Sequence, residues 1–287
     1  MKNKHLLHIV ELNIAVLFIS TSGVLGRYIS MPPEITIWWR CLIGAFLLGG
    51  FCYFKKIDLA LNIKKDWKSF LVSSLFLGAH WVTYFYALKF SNVAIGMLSL
   101  FTYPVITAFL EPLFFNLKLN KINVLLGFLV LIGVYFLTPE FNLENNMTLG
   151  VVFGLVSSVF YAIRNILTKK HTRNYHGSMV MFYQLTIVTF VLWPVLFIDH
   201  ESPSFSDWQA LVALAFITTA LGHTLFVLSF RHFTISTASI MSSIQPIYGI
   251  LFGMIFLSEI PSANTFIGGL LILITVVLEA VYSKTKN

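Results

Sequence analysis

The chain has 287 residues, of which 57% are hydrophobic and only 11% charged, with a mean hydropathy of +0.82. A soluble domain carries roughly 25% charged residues, so this composition excludes an ordinary aqueous core and makes lipid the solvent for most of the chain. The formal charge of +7 is not the signature of a nucleic-acid binder, because the basic residues sit in short segments between apolar runs and not on one face. The apolar runs are continuous and do not alternate, which excludes a barrel and leaves an all-α integral membrane protein.

Runs of bilayer-spanning length predict ten transmembrane helices, at roughly 8–26, 35–54, 69–88, 93–115, 122–138, 148–168, 179–198, 209–230, 235–257 and 264–282. The first run is followed by no convincing small-x-small cleavage site and reads as a retained span, not a signal peptide. Cys41 and Cys52 share the second span, which argues against a structural disulfide. With the N-terminus placed in the cytoplasm, fifteen Lys and Arg residues fall in inside segments, two (Arg27, Lys89) in outside segments, and two (Arg40, Arg164) within spans. This bias predicts cytoplasmic termini in a cell membrane. Trp38, Trp39, Trp67 and Trp208 fall at span ends, where interfacial anchors belong.

The fourth span reads LSLFTYPVITAFLEPLFF over residues 98–115 and the ninth IMSSIQPIYGILFGMIFL over 240–257. Each carries a proline at mid-span, Pro104 in one and Pro246 in the other. The offset that carries Pro104 onto Pro246 also pairs Lys89 with Arg231, Phe114 with Phe256 and Gly127 with Gly269, without a gap. The expectation is two repeats of five spans, over 8–138 and 148–283. An odd number of spans makes the repeats inverted, and inverted repeats with matched helix interruptions point to a secondary transporter with a site near the midplane. Pro104 and Pro246 are then candidate hinges, since each removes a bond to the preceding turn.

At these residues the chain resembles the drug/metabolite transporter superfamily, in its ten-helix EamA-like branch. The stretches that carry the likeness are GAHWVTYFYALKFSNVAIGMLSLFTYPVITAFLEPLFF, LLGFLVLIGVYFL and LSFRHFTISTASIMSSIQPIYGILFGMIFLSEIPSANTFIGGLLILITVVL. Arg40, near the start of the second span, fits the pattern as well. One departure is the acidic helix end: the second half has Ser258-Glu259, whereas the first has Asn116-Leu117 and places Glu111 earlier. The resemblance implies a central cavity lined mainly by spans one, three, four, six, eight and nine. It implies amino acids, other metabolites or drugs as substrates, frequently moved outward, and it implies no cofactor.

The candidate substrate-binding residues are His80, Tyr103, His223, Ser242, Ser243 and Gln245. A midplane histidine could relay a proton or bind a substrate carboxylate, or could be a neutral group bonded to its neighbours. Tyr103, Ser242, Ser243 and Gln245 flank the prolines, where they could meet substrate or act as polar glue between helices. Arg40, Glu111 and Arg164 are candidate gate or structural charges: Arg40 snorkels or attracts an anionic group, while Arg164 pairs, in the simplest reading, with Glu111. Gly150-x-x-x-Gly154 and Gly249-x-x-x-Gly253 allow close helix approach, inside the protein or across a homodimer.

No G-x-x-x-x-G-K-[ST], H-E-x-x-H or G-x-S-x-G occurs, and all four aspartates lie in loops or at span ends. These observations argue against a primary pump and an intramembrane enzyme. A secondary transporter of a small molecule is the leading reading. A channel-like facilitator and a His-dependent intramembrane transferase are its rivals.

Overall fold

The computed structural model describes residues 2–115, 121–137, 142–197, 202–233, 238 and 241–284. Asn116-Leu117 and Glu140 lie outside them, as does the side chain of Glu279. Among the described residues the fold is entirely helical. Seven helices are long and apolar enough to cross a bilayer. Three shorter apolar helices, Val124–Leu137, Ser242–Leu257 and Ala263–Leu278, occupy the places of the expected fifth, ninth and tenth spans. Both cysteines are free and buried.

Polar residues at the loop ends decide where the helices start. Asn62 accepts from the Lys65 N–H at the head of the third span (Ile63–Phe90). Asn92 accepts from Ile95 N–H at the head of the fourth, and Asn145 from Met147 N–H at the head of the sixth (Asn146–His171). At the eighth span (Phe205–Ser229), Ser204 and Asp207 form a reciprocal capping box. These short side chains answer N–H groups that have no partner within the helix.

The fourth and ninth spans are each broken. The fourth runs from Val93 to Leu100, turns through Phe101 and Thr102, and resumes as Tyr103–Phe115. The ninth passes through a tight 3-10 turn, Ser242–Ile244, and continues as Gln245–Leu257. Each proline is the second residue of its new segment, a position that tolerates a missing N–H. Tyr103–Phe115 and Gln245–Leu257 are both 13 residues long, and the offset between the prolines carries both ends of one onto both ends of the other. What the spacing led one to expect as a bend is thus a break with a restart. The eighth span carries a further irregularity, a π-helical stretch over Leu214–His223.

The spans pair in a pattern that survives exchange of the two halves. The third packs along the sixth and the first along the eighth. The fourth lies against the sixth and the first against the ninth (Gln245–Leu257). The second pairs with the seventh (Gly177–Phe197), the fourth with the ninth and the fifth with the tenth. The small-residue motifs serve these internal contacts. A methyl group at Gly154 would collide with Ser99, and one at Gly249 with Met97, so the fourth span is clamped between the sixth and the ninth.

Leucine at Gly154 therefore forces the helices apart, and at Gly249 it must displace the buried Met97 side chain, with an expected cost of about 1–3 kcal/mol. Gly154→Leu and Gly249→Leu should lower the unfolding temperature of detergent-purified protein. Gly50→Leu, at a position with nothing within 4 Å of the added carbon, should not.

Candidate functional site

The first span (Lys2–Tyr28) brings Ile19 and Ser22 to a small cavity between the spans, and the second (Pro33–Phe54) brings Arg40. His80, Trp81 and Tyr84 come from the third span and Leu100 and Phe101 from the break in the fourth. Tyr161, His223 and Gln245 complete the wall from spans six, eight and nine. The cavity measures about 10 Å³, room for roughly one water. The expected six spans contribute, with the second added through Arg40. The offset between the prolines carries Ile19 onto Tyr161 and Trp81 onto His223, whereas the other lining residues, Arg40 and His80 among them, have no counterpart in the wall. Larger hollows, of about 590 and 680 Å³, are lined almost wholly by apolar side chains such as Phe46, Phe190, Ile247 and Phe266, many of them exposed. Those surfaces have the chemistry of lipid contacts and not of a solute site.

Arg40 is completely buried and does not snorkel. Its Nε donates to Thr219 Oγ1 at 2.7 Å, and its guanidinium lies 3.8 Å from the centre of the Trp81 ring. Nη1 and Nη2 have no hydrogen-bond acceptor. Thr219 is presented by the π-helical stretch, where its hydroxyl is within reach of the Leu214 carbonyl five residues back, at 3.2 Å. Such local widening recurs at functional sites in helices.

His80 is held on two sides. Ser157 Oγ donates to the His80 carbonyl at 2.8 Å, so its single proton is used, and the imidazole Nδ1 at 2.7 Å from the same oxygen is left as the donor. The ring stacks on Tyr161 with centroids 4.3 Å apart. His223 is buried and less tied: its ring sits 5.1 Å from Trp81, and its Nδ1 has no partner. Gln245 reaches the cavity wall. Tyr103 stands one layer back, edge-on to Tyr161 at 4.7 Å. Ser242 turns its hydroxyl to the Ala238 carbonyl one turn back, at 2.7 Å, a local bond and not one between helices, and neither it nor the half-buried Ser243 lines the cavity.

Arg164, also fully buried, is fixed by neutral groups. Nη2 donates to Gln184 Oε1 at 2.7 Å and approaches Met181 Sδ at 3.0 Å, and Nη1 donates to Asn165 Oδ1 at 3.1 Å. Gln184 donates in turn to Ser73 and Thr168. The expected pairing with Glu111 is not made. Glu111 lies on the Tyr103–Phe115 helix, only half-buried, while Arg164 points into the space between spans three, six and seven.

Sequence reasoning missed Thr219, Trp81, Tyr84, Tyr161 and Ser157. For Trp81 a signal existed: the repeat offset lands it on His223, whereas His80 falls one position short. Thr219 gave none, because a threonine in an apolar helix is commonplace.

The chain is a multi-pass helical protein with a small cavity, part polar and part aromatic, between its spans. The EamA-like transporter family matches residues 9–138 and 148–280, and the chain belongs to that family. The pseudopaline exporter CntI of Pseudomonas aeruginosa is 24% identical over 96% of both chains. An uncharacterized transporter of Archaeoglobus fulgidus is 29% identical over 68% of this chain and 70% of its own. A protein solved by crystallography, 17% identical, superposes with a TM-score of 0.72 over 96% of this chain and 98% of that one, which establishes the likeness of fold.

The Arg164 network yields a prediction. Gln184→Leu should strand Arg164, Ser73 and Thr168 together, at a cost of about 1–3 kcal/mol. Adding Arg164→Met should recover part of that loss, because a buried charge and its acceptor are then removed together. Thermal unfolding of the single and double variants in detergent checks both outcomes.

Proposed function

We propose that the chain is a secondary transporter that carries a small metabolite out of the cell by alternating access, as a multi-pass protein of the cell membrane with both termini in the cytoplasm. The observation that carries this reading is the cavity itself, a small, partly open hollow to which both halves of the chain contribute side chains. A site on such a seam can open to either face when one half rocks against the other. The two domains are the five-span units 8–138 and 148–283, and the exchange-invariant packing of the spans supports their inversion. The distribution of lysine and arginine supports the orientation. Outward transport rests on the likeness to a relative named as an exporter. A single chain is the transport unit in this reading, since both small-residue motifs are used internally.

The broken spans are the moving parts. Pro104 cannot bond the Leu100 carbonyl and Pro246 cannot bond that of Ser242, so each helix has a fixed discontinuity beside the cavity. Reorientation of Tyr103–Phe115 and Gln245–Leu257 about these points would open one side and close the other.

Two measurements test the proposal. Because Cys41 and Cys52 are buried, an impermeant thiol reagent has a low background. Asp58→Cys should react only from the cytoplasmic side and Ser206→Cys only from outside, and the opposite pattern would invert the assignment. Cells expressing the chain should accumulate a metabolite in the medium. Pro104→Ala and Pro246→Ala should slow that accumulation several-fold at equal membrane abundance, because gating steps of this kind limit turnover. Unchanged rates in both variants would remove the hinge.

A further inference from the structure

We propose that the cavity takes a carboxylate-bearing substrate, an acid with an apolar or aromatic body, and that Arg40 is its counter-ion. The inference rests on the transport reading for what the site is used for, and on the local chemistry for what it binds.

A guanidinium is charged at any ordinary pH, and a charge taken out of water costs several kcal/mol unless it is paired. Arg40 is fully buried, yet no acid among the described residues meets it. The residues that line the cavity include neither Asp nor Glu. Among the described residues one carboxylate is buried, Asp207, and it accepts from Ser30 and Ser204 at the far end of the eighth span. Glu259 and Glu34 are engaged by Arg27 and Tyr86. An ionisable group at membrane depth with no protein partner marks a functional site.

The geometry says which kind of anion fits. Arg40 is moored at Nε by Thr219, and its face is covered by Trp81. What remains is the end carrying Nη1 and Nη2, both without acceptors. That edge presents two parallel N–H groups, the arrangement that grips a carboxylate with two bonds. A phosphate dianion would call for more positive charge than one guanidinium, and no lysine lines the cavity. Three further polar atoms of the wall, Trp81 Nε1, Tyr84 Oη and His223 Nδ1, also lack partners. They could serve an amino, hydroxyl or second acidic group of the ligand. Tyr84, Phe101 and Tyr161 supply the apolar part of the wall. At about 10 Å³ the empty cavity is contracted, so the ligand enters as the halves separate and replaces self-packing with its own contacts.

Arg164 provides the internal contrast. It is buried as deeply, but Gln184 and Asn165 occupy its Nη groups, so it is a structural charge. Arg40 has the same cost without the same relief.

The test uses detergent-purified full-length protein and matched probes that differ in one charge: indole-3-acetate and L-phenylalanine against their carboxamides, with phenyl phosphate as a third arm. The two acids should raise the unfolding temperature saturably at millimolar concentration, and the amides should not. In Arg40→Gln the apparent affinity for the acids should fall by at least about thirtyfold, and Arg40→Lys should recover part of it. Equal shifts by acid and amide, no shift by either acid, a stronger effect of phenyl phosphate, or acid binding unchanged in Arg40→Gln would each overturn the proposal. The acid–amide comparison on the unaltered protein needs no variant, so it stands even if Arg40→Gln fails to fold. Exchange of the same compounds across liposomes separates this proposal from the transport reading. Acids that bind but never exchange would remove transport and leave the carboxylate site. Exchange of neutral compounds alone, with acids inert, would do the reverse.

Discussion

In hydrocarbon every backbone N–H and C=O must find its partner inside the protein, and this constraint fixes where the helices can be irregular. Beside the cavity, regular helix gives way at the turn through Phe101 and Thr102, at the 3-10 turn Ser242–Ile244 and at the π-helical stretch Leu214–His223. The polar residues of these segments are buried: Thr102, Ser242, Thr218, Thr219 and His223 all face protein. The polar side chains named here point inward, while apolar ones of the same stretches, such as Phe216, point outward. The cavity is therefore a consequence of the breaks as much as a feature beside them. Without the interruptions at Pro104 and Pro246, Phe101 and Gln245 would belong to continuous helical turns and would not be presented there.

Much of this organisation was legible in the amino-acid sequence, and the part that was not has a physical reason. Hydropathy found the spans because transfer to lipid acts residue by residue along the chain. It misjudged their lengths because it reads bilayer thickness and not helix length. The third helix extends over Ile63–Phe90, well beyond the apolar run 69–88, since Lys64, Lys65 and Lys68 continue the helix into the headgroup region. The matched prolines were visible as punctuation, and their equal 13-residue helices follow the same offset. Arg40, His80, His223 and Gln245 stood out as polar letters in apolar runs, and they meet at the cavity. Their partners did not stand out. That Arg40 bonds Thr219 and that Arg164 bonds Gln184 depends on which helix faces which, information carried by packing and absent from composition.

The two buried arginines show how one residue type takes two roles in one protein. Each guanidinium has five N–H donors in a planar fork, and each is fully buried. Amides are the cheap solution, because a glutamine oxygen accepts strongly without adding a second desolvated charge. Arg164 has this solution, with Ser73 and Thr168 holding Gln184 in turn. Around Arg40 the wall offers aromatic faces and hydroxyls instead. A cation over an aromatic face gains about 0.5–2 kcal/mol, which lessens the burial cost without cancelling it. Nη1 and Nη2 of Arg40 are thus left without the acceptors that Arg164 finds for its own.

The ends of the cavity's helices complete the asymmetry. Arg27 and Lys169 are repeat mates under the same offset, at the ends of the first and sixth spans. Each caps the neighbouring helix through carbonyl oxygens: Arg27 donates to Lys89, and Lys169 to Phe230 and Phe233. Both caps use the same chemistry, a cation on the negative end of a helix. Only the first has an acid as well. Glu259 accepts from Arg27 at 3.0 Å and from the Val93 N–H at 2.8 Å, and the corresponding position of the first half is Leu117. The Arg27–Glu259 pair is partly exposed, and such pairs contribute about 0–1 kcal/mol. Glu259 thus ties the end of the ninth span to both the first and the fourth, and the ion-pair part of that tie is weak.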